Sequence, residues 1–249
     1  MTPVIKTATF SGITRVRNEE LLIRNTLDHF YAMCNNGLYV YDDASTDGTR
    51  AICSHHAGVK WLSSISQQSC LQEGQQSEGQ QRATALQAAE NLVPSGGWII
   101  CFDADERFEI DLQNIDFSNI DAIKMRLYDF YITPEDIEKQ WYERQWIGPE
   151  YREIITIWRS PLGHFQEGLR RAPTMEHGCR IITAGSVRHY GKALSIDDWE
   201  RKCRLYSTNS FPKEYREKWR NRHGKAVKTD MMSDFGRPLI KWEDRDRNG

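Results

Sequence analysis

Two short stretches set carboxylates where apolar runs end. "YVYDDASTDGT" (39–49) passes from an apolar segment into Asp42 and Asp43 and then a turn rich in Ser, Thr and Gly, while "WIICFDADE" (98–106) ends on Asp103, Asp105 and Glu106. A D-x-D at a strand end presents two carboxylates on one side of the chain, a hard oxygen site suited to Mg²⁺ or Mn²⁺ held jointly with phosphate oxygens. A solvated turn has the same composition, so the pattern has to be weighed with its neighbours. Two other chemistries fail on spacing. A phosphatase reading of D-x-D-x-T/V meets Arg107, and a calcium loop begun at Asp43 reaches Ser54 where a bidentate Glu is required.

The elements that must hold these acids follow from periodicity. "FSGITRV" (10–16) has strand character, and Asn18 followed by Glu19 and Glu20 predicts a helix N-terminus. Apolar Ile23, Leu27, Phe30, Tyr31 and Cys34 recur at three and four, and "NNG" (35–37) ends that helix. "LYVYDD" is then a second strand, which makes 10–42 a β-α-β unit, and "GVKWL" (58–62) reads as a third. Residues 63–81, with seven Gln and five Ser, predict a mobile loop. An Ala-rich helix, "QRATALQAAENLV", follows until Pro94 and "SGG", and "WIICF" suits a strand covered on both faces.

Strands alternating with helices imply an α/β fold with a mostly parallel central sheet flanked by helices, in which ligands sit outside the carboxyl ends of the strands. Both acidic clusters fall at such ends and are expected to face one crevice. Beyond residue 110 the pattern loosens into aromatic-rich "LYDFYI" (127–132) and "WYERQW" (141–146), strand-like "EIITIW" (153–158), and "CRIITAGSVRHYG" (179–191). The aromatics fit either an acceptor platform or core packing. Ser195 with Asp198 three later starts a helix whose buried side carries Trp199, Cys203 and Tyr206.

The chain of 249 residues is long enough for one large domain, or a domain with a small appendage, and its net charge of −2 gives no global attraction to nucleic acid or membrane. No apolar run approaches the roughly 20 residues needed to span a bilayer, and "MTPVIKTATF" has no signal-peptide pattern, so a cytoplasmic protein, or a fragment facing the cytoplasm, is expected. Six cysteines without a C-x-x-C pair read as free, mostly buried thiols.

The joint order of "TRVRNEE", "YDDASTDGT", "GQQRATAL" and "FDADE" resembles the family 2 type of GT-A glycosyltransferases over residues 10–110. The resemblance implies a GT-A, Rossmann-like domain over 1–194, with a nucleotide-sugar-binding half (10–110) and an acceptor-binding half (111–194), and a helical, basic extension over 195–249. Carried across residue by residue, it sets Asp42 and Asp43 against the nucleotide base, with Asp43 the better match by register and an Asx-type cap of the next turn the alternative for one of them, Arg82 against the donor phosphates or on a solvated helix face, Asp103 against ribose or metal-bound water, and Asp105 on a Mn²⁺ or Mg²⁺ ion. Arg15 and Arg17 stand where the family has Pro and Tyr, and would reach the diphosphate or stack on the base; a surface ion pair with Glu19 or Glu20 is the alternative.

In "GHFQEGLRR" (163–171) Glu167 is the expected base for the acceptor hydroxyl, His164 could serve instead, and a solvated ion pair with Arg170 and Arg171 is the rival reading. His189 in "SVRHYGKAL" (186–194) resembles a third metal ligand, or is a strand histidine satisfied by backbone, with Arg188 and Lys192 suited to diphosphate. "KEYREKWRNRHGKAVK" (213–228) carries seven Lys or Arg against two Glu. It reads either as a peripheral contact with a membrane or phosphorylated acceptor, or as a solvated helix with Tyr215 and Trp219 packed inward. The resemblance implies metal-dependent, inverting transfer of a sugar from a UDP-sugar to a hydroxyl of a glycan or glycolipid. A catalytically silent nucleotide-sugar or carbohydrate-binding module and a nucleotidyltransferase are the alternatives.

Overall fold

A computed structural model describes residues 8–64, 77–166, 172–208 and 213–248. Two compact units divide the chain: residues 1–125 with 153–185, and residues 126–152 with 186–249.

The first unit is built on strands β1 (Phe10–Val16), β2 (Leu38–Asp42), β3 (Val59–Ser64) and β4 (Trp98–Cys101). β1 lies between β2 and β4 and is parallel to both; β2 is parallel to β3. Every residue of β2 and β4 is buried, as expected of continuous apolar runs covered on both faces. Helices α1 (Ile23–Met33), α2 (Thr49–His55) and α3 (Glu78–Glu90) are the crossovers. Ala85, Leu86 and Ala89 of α3 pack with Ile13, Tyr39 and Ile99, and Phe30 of α1 stacks on Phe102 with ring centroids 3.7 Å apart. The sheet is not parallel throughout. After β5 (Glu106–Glu109) and β6 (Ala122–Phe130), the long β7 (Trp146–Arg159) runs antiparallel to β4, pairing Ile99 with Trp158. Short β8 (Gly163–His164) and β9 (Thr174–Met175) form a separate antiparallel pair.

Two helix starts differ from the sequence reading. α1 begins at Ile23 because Asn18, instead of capping it, adopts a left-handed φ of 55°, and the Glu19 carbonyl closes a turn by accepting Leu22 N at 3.0 Å and Ile23 N at 2.8 Å. α3 begins inside the Gln-rich stretch because Ser77 and Gln80 form a reciprocal capping box: Ser77 Oγ accepts Gln80 N at 3.3 Å, and Gln80 Oε1 accepts Ser77 N at 2.8 Å. Residues 65–76 of the expected mobile loop lie outside the described residues. Gly37, at φ 88°, ends the α1 connection in a conformation that favours glycine.

In the second unit β7, β6 and β10 (Ile181–His189) are neighbours, and β11 (Ile240–Lys241) pairs antiparallel with the start of β7. Helices α4 (Ile196–Tyr206) and α5 (Lys213–Arg220) share an apolar cluster of Trp199, Cys203, Trp219 and Ala226, with Tyr206 and Tyr215 against it. Ser195 Oγ caps α4 by accepting Asp198 N at 3.0 Å. Both aromatics of the basic segment therefore turn inward. Among the described residues no helix is long and apolar enough to cross a membrane.

Candidate active site

The acids at the carboxyl ends of β2 and β4 are each met by a residue of α3. Asp43 continues the β1–β2 ladder by donating its N–H to Val16 O at 2.9 Å, after which Ala44 turns the chain with a left-handed φ of 53°. That conformation costs an L-residue about 1 kcal/mol, and such strain is characteristic of functional turns.

The Asp43 carboxylate is fully buried. Gln81 Nε2 donates to its Oδ1 at 2.7 Å, Arg17 Nη1 approaches Oδ2 at 3.3 Å, and Arg15 Nη2 donates to the same Oδ2. Arg15 Nε also donates to Gln81 Oε1 at 2.9 Å, which closes a ring of three side chains. A buried carboxylate is tolerated when charged donors compensate its lost hydration. Both arginines thus pair with Asp43, and the Glu20 carboxylate accepts Gly48 N at 3.0 Å. Asp42 does other work. Its Oδ1 accepts Ser45 N at 3.2 Å, an Asx-type turn that shapes the loop.

One residue further along α3, Arg82 is buried and its Nη2 donates to Asp103 Oδ1 at 2.5 Å and to Glu78 Oε1 at 2.9 Å. Burial works against the Arg82 charge, but Asp103, Cys101 and Glu78 outweigh it and hold the guanidinium well above its ordinary value. Asp103 N in turn donates to Glu106 Oε2 at 3.1 Å, so the D-x-D turn is partly closed on itself. Gln81, a residue the motif reading passed over, had one signal: its place beside Arg82 in "GQQRATAL".

The donor set at the end of β4, Asp103 and Asp105, is hard carboxylate oxygen. Among the described residues no group of three or more His, Cys, Asp or Glu gathers as a ready metal cage. Two carboxylates without a cage fit an ion such as Mg²⁺, which is commonly held by one or two carboxylates together with substrate phosphates. Glu167 lies outside the described residues, and His164 sits exposed on β8.

Residues 11–115 match the family model described as glycosyl transferase family 2. Over this segment, which is less than half of the chain, the protein is similar to glycosyl transferase family 2. The matched span takes in β1 to β5 and with them both acid-bearing ends. No curated protein sequence matches it. Among solved structures, S. aureus TarS 1-349 aligns with 85% of this chain and 69% of that chain at 14% identity and a TM-score of 0.45. The TarS 1-349 complex with UDP-GlcNAc covers 85% and 70% at 14% identity and 0.42. Glucosyl-3-phosphoglycerate synthase from Mycobacterium tuberculosis, in complex with Mn²⁺, UDP-glucose and phosphoglyceric acid, covers 49% and 44% at 20% identity and 0.33.

His189 belongs to the second unit, where its Nδ1 meets Asp129 Oδ1 at 2.5 Å. Lys192 Nζ bridges Asp129 and Asp234 at 2.8 Å each, and Asp234 also takes Arg222 Nη2 at 2.5 Å and Lys228 Nζ at 2.7 Å. The sequence reading did not foresee this network. Burial alone would raise both carboxyls. His189 and Lys192 outweigh it at Asp129, and Lys192, Lys228 and Arg222 bring Asp234 down to about 2.

A carboxyl depressed in the fold adds stability that is complete above its unfolded value, about 3.9, and is lost as pH falls through the folded value. Unfolding free energy is therefore expected to drop on acidification from about pH 4 to about pH 2. Asp234→Asn should remove on the order of 1–2 kcal/mol at neutral pH and flatten that slope in urea titrations.

Proposed function

We propose that this protein is a glycosyltransferase that moves a sugar from a nucleotide-sugar donor, a UDP-sugar, to a hydroxyl acceptor such as a glycan, with inversion at the anomeric carbon. The observation that carries the reading is the convergence of the two acid-bearing ends on consecutive α3 residues: Asp43 on Gln81, and Asp103 on Arg82. Nucleotide ends of opposite character would meet opposite ends of this arrangement. Arg15, Arg17 and Asp43 offer donors and a carboxylate to the base, and Arg82 offers positive charge to the diphosphate.

Asp105, with Asp103 beside it, would hold the divalent ion, Mn²⁺ or Mg²⁺, which when bound offsets the charge of the departing diphosphate. Arg82 would have to share its guanidinium between Asp103 and the donor phosphates, so donor entry is coupled to loosening that ion pair. Glu167 would take the proton of the acceptor hydroxyl as its oxygen attacks the anomeric carbon.

A panel of nucleotide sugars incubated with and without Mn²⁺ tests this. Free nucleoside diphosphate as product, a response to Mn²⁺ that Asp105→Asn removes, and loss of transfer in Glu167→Gln with nucleotide binding intact are expected. Pyrophosphate as product would indicate nucleotidyl transfer, and nucleotide binding without turnover would indicate a silent binding module.

A further inference from the structure

The D-x-D turn is held from behind by α1, and the contacts are made by residues that no motif includes. Thr26 is fully buried; its Oγ1 donates toward Leu22 O, at 3.0 Å within its own helix, and toward Ala104 O at 2.5 Å, across 78 positions of sequence. The same Ala104 carbonyl accepts Arg107 Nη1 at 3.2 Å, and Arg107 Nε donates to Asn25 Oδ1 at 2.9 Å. One turn further along α1, His29 Nε2 accepts Phe108 N at 3.0 Å. Asn25, Thr26 and His29 therefore grip residues 104–108 at three successive points. The acceptor role at His29 requires a neutral ring nitrogen, in line with burial, then Arg107, lowering that imidazole to about 4.

We propose that Thr26 is a positioning residue: through the Ala104 carbonyl it fixes the turn on which Asp103 and Asp105 stand, and so sets the geometry of the donor and metal site. This rests on the functional reading above. The turn's own bonds, Asp103 N to Glu106 Oε2 and Glu106 N to Asp103 O at 3.2 Å, close the loop but leave its attitude to the sheet undetermined. A carbonyl between the two aspartates, tied to a rigid helix, removes that freedom. Residues that orient ligands without touching the ion typically alter metal affinity by about 10- to 100-fold.

The test compares Thr26→Val, which keeps the shape and loses the donor, with Thr26→Ser, which keeps the donor and loses a methyl. Without any ligand, amide hydrogen exchange across 103–108 is expected to quicken about tenfold in the Val variant and to stay near the parent in Ser. With UDP present, free Mn²⁺ counted by its paramagnetic resonance signal should show affinity lowered about tenfold in Val and preserved in Ser. Unchanged exchange in Val, or equal losses in Val and Ser, would overturn the brace. Faster exchange in Val with parental Mn²⁺–UDP affinity would overturn its role in positioning. A parent chain that takes up no Mn²⁺–UDP while exchange responds to Val would instead overturn the functional reading, and with it the positioning role.

Discussion

Arg82→Met is expected to lower the unfolding free energy by about 3 kcal/mol and transfer by about a hundredfold. The side chain is 3% exposed, and one nitrogen, Nη2, serves both Asp103 and Glu78. Methionine keeps the apolar stem packed along α3 but leaves two carboxylates facing one another without the intervening cation. Removing one partner of a fully buried pair costs about 3–5 kcal/mol; the lower figure applies because Asp103 and Glu78 retain 28% and 34% of their exposure and water takes over part of the role. Arg82→Lys separates charge from shape. It restores the positive charge without the planar fork, so it should recover most of the stability in urea unfolding while kcat/KM stays depressed. Full recovery of both by Lys would contradict a geometric role for the guanidinium.

Asp43→Asn is expected to cost about 2–3 kcal/mol and to raise the dissociation constant for UDP at least about tenfold. The change conserves volume but sets an amide among Arg15, Arg17 and Gln81. One edge can still accept from Gln81, whereas the other becomes a donor aimed at two donors. The cost is held below that of a fully enclosed pair because Arg15 and Arg17 keep 24% and 44% of their side-chain exposure. A double-mutant cycle with Arg15→Met gives the sign: removing the stranded guanidinium should restore part of the lost stability, so the two changes together cost less than their sum. Strict additivity in denaturant titrations would show that the pair is not coupled.

Much of the acid-bearing half was legible because its signals are local. Carboxylates after an unbroken apolar run, and glycines where the chain must reverse, identify strand ends without knowledge of any partner. The alternative uses of Asp42 and Asp43 were both visible, but only the fold assigns the turn to Asp42 and the buried ring to Asp43. Asn18 misled because a residue that caps helices also tolerates the left-handed region, and the loop after β2 claimed it: Thr46 N donates to its Oδ1 at 2.8 Å. Thr26 looked like an ordinary helical threonine, since its partner is 78 residues away. The Asp129 and Asp234 network was hidden for the same reason: aspartates 105 positions apart share Lys192, and neither lies in a recognisable pattern. The reversal at β7 was likewise invisible, because apolar alternation marks a strand but not its direction.

The capping box at Ser77 has a consequence for how tolerant this region is to indels. Each added residue advances an α-helix by about 100° around its axis. A single insertion between Ser77 and Gln81 would swing both Gln81 and Arg82 off their aspartates in one stroke, since they ride on the same shaft. The two acid-bearing strand ends are in that sense geared together, and a length change here would disengage both at once, whereas a substitution at either side chain disengages one.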